Sequence, residues 1–268
     1  MNLILLDPGE VTTTGEVTLT DGRARHVREV LQATPGLPVR VGIIDGALGT
    51  GTVTSIDAVN VALRCTFGAP PPRPRVDLLL ALPRPKVMRR LWAQLSALGV
   101  GRIILTNAER VERNYFDTHV ISPECYRPLL LEGLQQARDT RVPPVSVHRQ
   151  FRKLVEDELA TLSDATIRIV AEPGATMTIR DALRAGRDLS VGRALSSLDS
   201  ARDDPEYVEG SGPPGERVLL AIGPEGGWNE FELGLLEAHG FQRVSMGART
   251  LRSDTACVAL LATVICDL

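Results

Sequence analysis

Four of the eight residues from Gly68 to Arg75 are proline, so neither a helix nor a central strand can run through this segment with its hydrogen bonds intact. Consecutive prolines favour a stiff, extended connector, which divides the chain. Apolar residues follow different rhythms on the two sides. Before the connector, short runs at Val17–Leu19, Val39–Ile44, Thr52–Ile56 and Val59–Cys65 are punctuated by Asp45-Gly46 and Gly49-Thr-Gly51, the pattern of strands joined by hairpins. A small β-barrel is expected there, with one helical stretch at Ala24–Gln32 burying Val27, Val30 and Leu31.

After the connector, the run Val76–Leu82, apolar but for Asp77, leads into Lys86–Leu98, where Val87, Met88, Leu91, Trp92, Leu95 and Leu98 recur at helical spacing before a glycine stop at Gly99. Further strands are expected at Arg102–Thr106, Ile167–Ala171, Arg217–Ile222 and Arg243–Met246, with helices near Pro128–Arg138, Phe151–Leu162 and Asn229–His239. Pro128 is placed at a helix start because it would remove a donor from a helix begun at Ser122. Alternation of this kind predicts an α/β domain with a largely parallel sheet.

Composition narrows the function classes. No apolar run in these 268 residues approaches the roughly 20 needed to span a membrane, and MNLILLDPGE makes a poor secretory signal, so a cytoplasmic protein is expected. Four cysteines without a CxxC pair and four dispersed histidines predict neither a disulfide framework nor a metal site. The formal charge of −3 gives no bulk affinity for nucleic acid. Residues 76–116 nevertheless carry seven basic and three acidic residues, and an RNA-binding patch is expected there, at Arg89 and Arg90, together with the barrel's Arg23, Arg25 and Arg28. The polar segment 186–216, with three arginines against seven acids, reads as a mobile insertion.

Two stretches near the C-terminus carry the chemistry. In the first, the buried run Val218–Ile222 enters Gly223-Pro-Glu-Gly-Gly227, and Asn229 with Glu232 three residues on forms a capping-box start to a helix. Ligands of α/β sheets bind at the carboxyl ends of strands, where glycines let backbone groups approach closely. The spacing matches neither a P-loop nor a dinucleotide fingerprint. In the second, Val244–Ala256 places Arg249, Arg252 and Asp254 at the entrance of a final helix that is apolar on nearly all sides, which must be buried within the chain or against a second subunit. Arg252 and Asp254 are candidates either for chemistry or for a structural ion pair with each other.

GPEGGWNEFE followed by MGARTLRSDTA resembles the paired signature of the ribosomal RNA small subunit methyltransferase E family. Ala24–Gly46 is similar to that family's N-terminal PUA-like barrel, Ala97-Leu-Gly-Val100 to its ELGV segment and Glu132–Pro143 to its EAxEQ…R..P segment. Family arginines correspond here to Gln32 and Asp139, and the usual RTETA reads Arg252-Ser-Asp-Thr-Ala256.

The resemblance implies a PUA-like RNA-binding barrel at residues 1–70 and a SPOUT-type, trefoil-knotted methyltransferase domain at 76–268. It implies a homodimer that uses S-adenosylmethionine to methylate N3 of a uridine in 16S rRNA, within an assembled small subunit. The donor is expected against three loops: Ala171, Glu172 and Pro173; Ile222, Gly223, Pro224, Glu225, Gly226 and Gly227; and Met246, Gly247, Arg249, Leu251 and Arg252. Arg252 is the catalytic candidate that would stabilise a developing uridine anion, and Asp254 or Glu225 the candidate base. A ribose 2′-O methyltransferase of the SPOUT class and a non-catalytic RNA-binding or ribosome-assembly module are the alternatives.

Overall fold

The computed structural model describes residues 2–188, 216–247, 249 and 251–268. It divides into two compact units: Met1–Arg73 with Trp92–Gly99 and Pro123–Pro143, and Pro74–Leu91 with Val100–Ser122 and Pro144–Leu268. Of the 186–216 insertion expected to be mobile, residues 189–215 lie outside the described residues.

The first unit is built on a five-stranded sheet of β1 (Ile4–Leu6), β2 (Glu16–Leu19), β3 (Pro38–Ile43), β4 (Leu48–Ile56) and β5 (Val61–Phe67), in the order β1-β3-β4-β5-β2. β1 runs parallel to β3 and the other pairs are antiparallel. Alternation sends Val17, Leu19, Val39, Val41, Val53, Val61 and Leu63 into one core. Three sequence expectations need correction. Gly49 and Gly51 lie within β4 and make no turn: a Cβ at Gly49 would stand 2.2 Å from the Thr66 carbonyl oxygen, so glycine is required by close strand approach. The helical stretch is a short α1 (Gly22–Arg25) running into a π-turn at His26–Val30. The wider turn rotates Val30 and Leu31 outward, leaving only Val27 of the three in the core. β1 was missed because three apolar residues carry no period.

A helix of this unit, here α3 (Pro123–Ala137), begins five residues earlier than expected and keeps Pro128 inside it. The cost is one missing amide bond to the preceding turn. Packing within the unit offsets it: Tyr126 stacks on Trp92 at 5.0 Å, and the Leu130 carbonyl accepts from Ser96 Oγ at 2.8 Å. Gly133 permits this approach, since a Cβ there would meet the Ala93 carbonyl oxygen at 2.1 Å. Leu134 packs with Leu3, Leu5 and Ile44 in a second small core.

The second unit holds a six-stranded, wholly parallel sheet, ordered β11-β9-β10-β6-β7-β8. Its strands are β6 (Val76–Ala81), β7 (Val100–Thr106), β8 (Val145–His148), β9 (Ile167–Ala171), β10 (Val218–Ile222) and β11 (Phe241–Val244). α2 (Pro85–Leu98) follows β6. α4 covers Phe151–Lys153 to Leu159–Leu162 with a π-turn at Leu154–Glu158, and α5 is the helical stretch 179–188. α6 (Glu230–Ala238) and α7 (Ser253–Asp267) complete the unit. The expected α/β class and parallel sheet are present. β8 was missed because it is short and only half-buried. The last strand ends at Val244, two residues before the expected Met246, because Met246 belongs to a loop.

The central strands β6 and β10 are buried along their whole length, as expected of a sheet covered on both faces. One charge lies among them. Asp77 is fully buried and accepts from Arg217 Nη2 at 2.8 Å and from Ser163 Oγ at 2.8 Å. Arg217 also donates to the Pro74 carbonyl at 3.0 Å and to Asp164 at 2.7 Å. This clamp holds the amino ends of β6 and β10, leaving their carboxyl ends to build the site.

Candidate active site

Three neighbouring strands, β11, β9 and β10, end at one edge of the parallel sheet, and the loops that leave them converge with the start of α7 around a cavity of about 320 Å³. The chain after β10 closes a turn in which the Gly227 amide donates to the Pro224 carbonyl at 2.8 Å. Gly227 has φ +75°, a conformation natural to glycine. Gly223 is required by contact: a Cβ would stand 2.9 Å from Trp228 Nε1. Trp228 is itself buried and stacks on Phe151 at 5.3 Å, fixing the far side of the turn.

The capping box expected from Asn229 and Glu232 is present, with Glu232 N donating to Asn229 Oδ1 at 2.8 Å and Asn229 N to Glu232 Oε2 at 2.9 Å. Glu232 has a second task. Its Oε1 accepts from the Glu109 amide at 2.7 Å, which ties the segment after β7 to the start of α6. The next residue, Arg110, donates from Nη1 to the Gly226 carbonyl and lines the cavity.

The other two loops are knitted by Ser245. Its amide donates to the Met177 carbonyl at 2.9 Å, and its Oγ accepts from the Gly247 amide at 3.0 Å while lying 3.3 Å from the Pro173 carbonyl oxygen. The Glu172 amide donates to the Val244 carbonyl at 2.9 Å. Gly247, at φ +117°, turns the chain toward α7.

Every residue assigned from sequence to the donor site lines this cavity except Arg252. Arg252 is exposed at the N-cap of α7, beside the lining residues Leu251 and Ser253. Arg110, Trp228, Val244, Ser245, Ser253, Ala256 and Leu260 also line it and carry no assignment from sequence. Trp228 and Ser245 adjoin assigned motifs and were within reach of the same argument. Arg110 was signalled only by its place just beyond a parallel strand.

The candidate acid–base and RNA residues are arranged differently from the structural alternative considered for them. Asp254 accepts from Arg90 at 2.7 Å and, through its other oxygen, from the Thr255 amide at 2.9 Å. Among the described residues Arg252 makes no ion pair. Glu225 lies 3.2 Å from Arg84. Of the arginines expected to meet RNA, Arg23 is held by Glu10 and Asp21 and donates to the Leu5 carbonyl at 2.7 Å. That hydrogen bonding raises the pKa of Arg23 and lowers those of both carboxyls. Arg28 donates to the Ala58 carbonyl at 2.7 Å. Arg25 and Arg89 are exposed with no ion pair among the described residues.

Cys257 in α7 is fully buried, and desolvation, aided by the charge of Asp254, pushes its thiol up to about 12. It is therefore no nucleophile at neutral pH. Among the described residues no cluster of three histidine, cysteine or acidic side chains is placed to hold a metal ion.

Residues 70–265 match the family model of the RNA methyltransferase domain. The chain is 30% identical to ribosomal RNA small subunit methyltransferase E of Treponema pallidum, over all of this chain and 91% of that protein. It is 22% identical to ribosomal RNA small subunit methyltransferase E 1 of Borreliella burgdorferi, over 97% and 95% of the two chains. The crystal structure of the Neisseria gonorrhoeae ribosomal RNA small subunit methyltransferase E bound to S-adenosyl methionine shares the fold, with a TM-score of 0.67 at 19% identity over 98% of this chain and 96% of that one. A family-model match across most of the chain, joined to a full-length relative at this identity, places the protein in the ribosomal RNA small subunit methyltransferase E family.

Proposed function

We propose that the protein methylates N3 of a uridine in 16S rRNA, taking the methyl group from S-adenosylmethionine. The observation that carries the reading is the convergence of three strand-end loops on one cavity lined by the Gly223–Gly227 turn. Its volume of about 320 Å³ falls within the range of about 300–1,000 Å³ usual for small-molecule sites. The walls also suit the donor. Ile222, Leu251 and Leu260 offer apolar surface to an adenosyl group, glycine-rich backbone offers close approach, and Glu172, Glu225, Arg110 and Arg249 add charged groups to the lining. Ala171–Pro173, Ile222–Gly227, and Met246, Gly247, Arg249 and Leu251 would hold it. When bound, S-adenosylmethionine supplies an electrophilic sulfonium methyl group.

The protein's task toward the acceptor is to stabilise the anion formed when uridine N3 loses its proton. Arg252, exposed beside the cavity and unpaired among the described residues, is assigned that role, since a planar guanidinium can address a uracil carbonyl oxygen in a fixed direction. Asp254 is the candidate base, with Arg90 as its present counter-ion.

The architecture is read in the same way. β10 lies between β6 and β9 while β11 lies beyond β9, and the loops after β9 and β11 are joined at Thr178–Ser245. This favours a SPOUT-type trefoil knot in a domain spanning 76–268. Residues 1–70 are assigned to a PUA-like barrel that offers Arg25 to RNA. On α7, Ser253, Cys257, Leu260, Leu261 and Val264 are buried, while Val258, Ala259, Ala262 and Ile265 are only half-covered. That apolar stripe supports a homodimer. The enzyme is assigned to the cytoplasm, with the assembled small subunit as substrate.

The test incubates the protein with small ribosomal subunits and labelled donor, followed by nucleoside mass spectrometry. 3-Methyluridine is expected. A 2′-O-methylated nucleoside would overturn the base assignment, and absence of both transfer and donor binding would leave an RNA-binding or assembly module.

A further inference from the structure

The cavity has two arginines in its lining, Arg110 and Arg249, and they are not equivalent. Arg249 has no hydrogen bond among the described residues. Arg110 is fixed at two levels. Its backbone is set by Glu232, which is 4% exposed and whose carboxylate accepts from both the Asn229 and the Glu109 amides. Its guanidinium donates from Nη1 to the carbonyl of Gly226, in the middle of the turn that walls the cavity. The side chain lies flat against that turn, since a Cβ at Gly226 would meet Arg110 Cδ at 2.9 Å. Only one of its N–H groups is engaged among the described residues, leaving Nε and Nη2 to address an anion.

We infer that Arg110 recognises the carboxylate of the donor's amino-acid end, with Glu232 as the residue that positions it. This inference rests on S-adenosylmethionine being the methyl donor. The donor carries one anionic group, the carboxylate, beside two cationic ones, the ammonium and the sulfonium. Glu172 and Glu225 in the same lining complement the cations, and a fixed guanidinium complements the anion. Carboxylate and guanidinium match as a fork, and an arginine already held in place loses little freedom on binding. Adjacency to Gly226 puts Arg110 on the cavity wall, which favours the donor over an RNA phosphate as its ligand.

The probe is a pair of ligands, S-adenosylmethionine and its decarboxylated analogue, titrated calorimetrically into full-length wild type, Arg110→Gln and Arg110→Lys. Arg110 is exposed, and its replacement removes no core packing; matching melting temperatures would verify that the variants are folded. Wild type is expected to bind the analogue roughly 10- to 100-fold more weakly than the donor, the scale of a charge-assisted hydrogen bond to a carboxylate. Arg110→Gln should lose affinity for the donor by a similar factor and no longer distinguish the two ligands. Arg110→Lys should recover part of the distinction. Equal binding of both ligands by wild type would overturn the assignment. So would an equal loss for both in Arg110→Gln, which would make the arginine only a support for the Gly226 turn. Unchanged donor affinity with weakened RNA binding would move it to the RNA side and overturn the assignment as well. Wild type that binds neither ligand would refute the donor reading itself, an outcome separate from all of these.

Discussion

Asp254, in the first turn of the last helix, gives its carboxylate to Arg90 of α2, at 2.7 Å, and not to its near neighbour Arg252. Two residues expected to act separately, one on the acceptor's proton and one on RNA, are thus partners, and Arg252 is left open to the solvent. The pair is not a strong staple: its side chains are 24% and 57% exposed, and such pairs contribute at most about 1 kcal/mol.

Arg89 and Arg90 should therefore differ in their service to RNA. Arg89 has no ion pair to give up among the described residues, whereas Arg90 must leave Asp254 before it can meet a phosphate. Arg89→Ala is expected to lower the slope of log affinity against log salt by about one unit, and Arg90→Ala by less. Titrations of ribosomal RNA at several salt concentrations measure both. Equal changes would mean that the Asp254 pair does not compete with RNA.

Arg217 should matter to folding and not to donor binding. Asp77 is completely buried, and Arg217 is its charged partner at 2.8 Å. Arg217→Met removes this counter-charge from a buried carboxylate and is expected to cost about 3–5 kcal/mol in denaturant unfolding. The folded fraction should keep wild-type affinity for S-adenosylmethionine, because the clamp lies at the opposite ends of the strands from the cavity. A change below about 1 kcal/mol would show that the remaining contacts of Asp77 are sufficient.

Two buried thiols give the stability a defined alkaline edge. Burial pushes Cys65 up to about 11 and Cys257 up to about 12, from an ordinary value of 9.0. Raised folded-state values mean that their contribution is fully present below about pH 9 and is lost as the pH rises through 11 and 12. Unfolding free energy should fall above pH 9 by at most about 1.4 kcal/mol per pH unit for each thiol. Cys65→Ala should flatten that fall, and an unchanged slope would assign it to other groups. At neutral pH, exposed Cys266 should react with a thiol reagent well before either buried cysteine.

How much of this could be read from the chain alone depended on whether the signal was local. The parallel sheet was legible because β6, apart from Asp77, and β10 are apolar throughout, and the turn at Gly223–Gly227 because its glycines sit between a strand and a capping box. Arg110 and the second bond of Glu232 were not legible, since 123 residues separate Glu232 from Glu109 and only the β7–β6–β10 order makes them neighbours. The same applies to Arg90 and Asp254, which are 164 residues apart. Pro128 misled for a related reason: its local penalty is real, but the packing of Tyr126, Leu130 and Gly133 against Trp92–Ser96 outweighs it.

Arg252 provides the sharpest test of the chemistry. Lysine keeps the charge and loses the planar fork, so Arg252→Lys is expected to retain most of the affinity for S-adenosylmethionine, consistent with a side chain outside the cavity lining. An interaction formed only as negative charge develops on the uracil should, when removed, lower turnover by roughly 100-fold or more. The pH dependence separates this from damage to the helix start. Raising the pH helps uridine N3 lose its proton without enzymatic assistance, so a variant impaired in stabilising that anion should regain part of its rate in mildly alkaline buffer. The range should stay below pH 9, where the buried thiols still favour the folded state. If Arg252 merely supported the N-cap of α7, the variant would lose thermal stability and donor affinity together and show no alkaline recovery. Rate against pH, measured beside donor affinity and melting temperature, distinguishes the two, and normal turnover at neutral pH would exclude a catalytic role for this arginine.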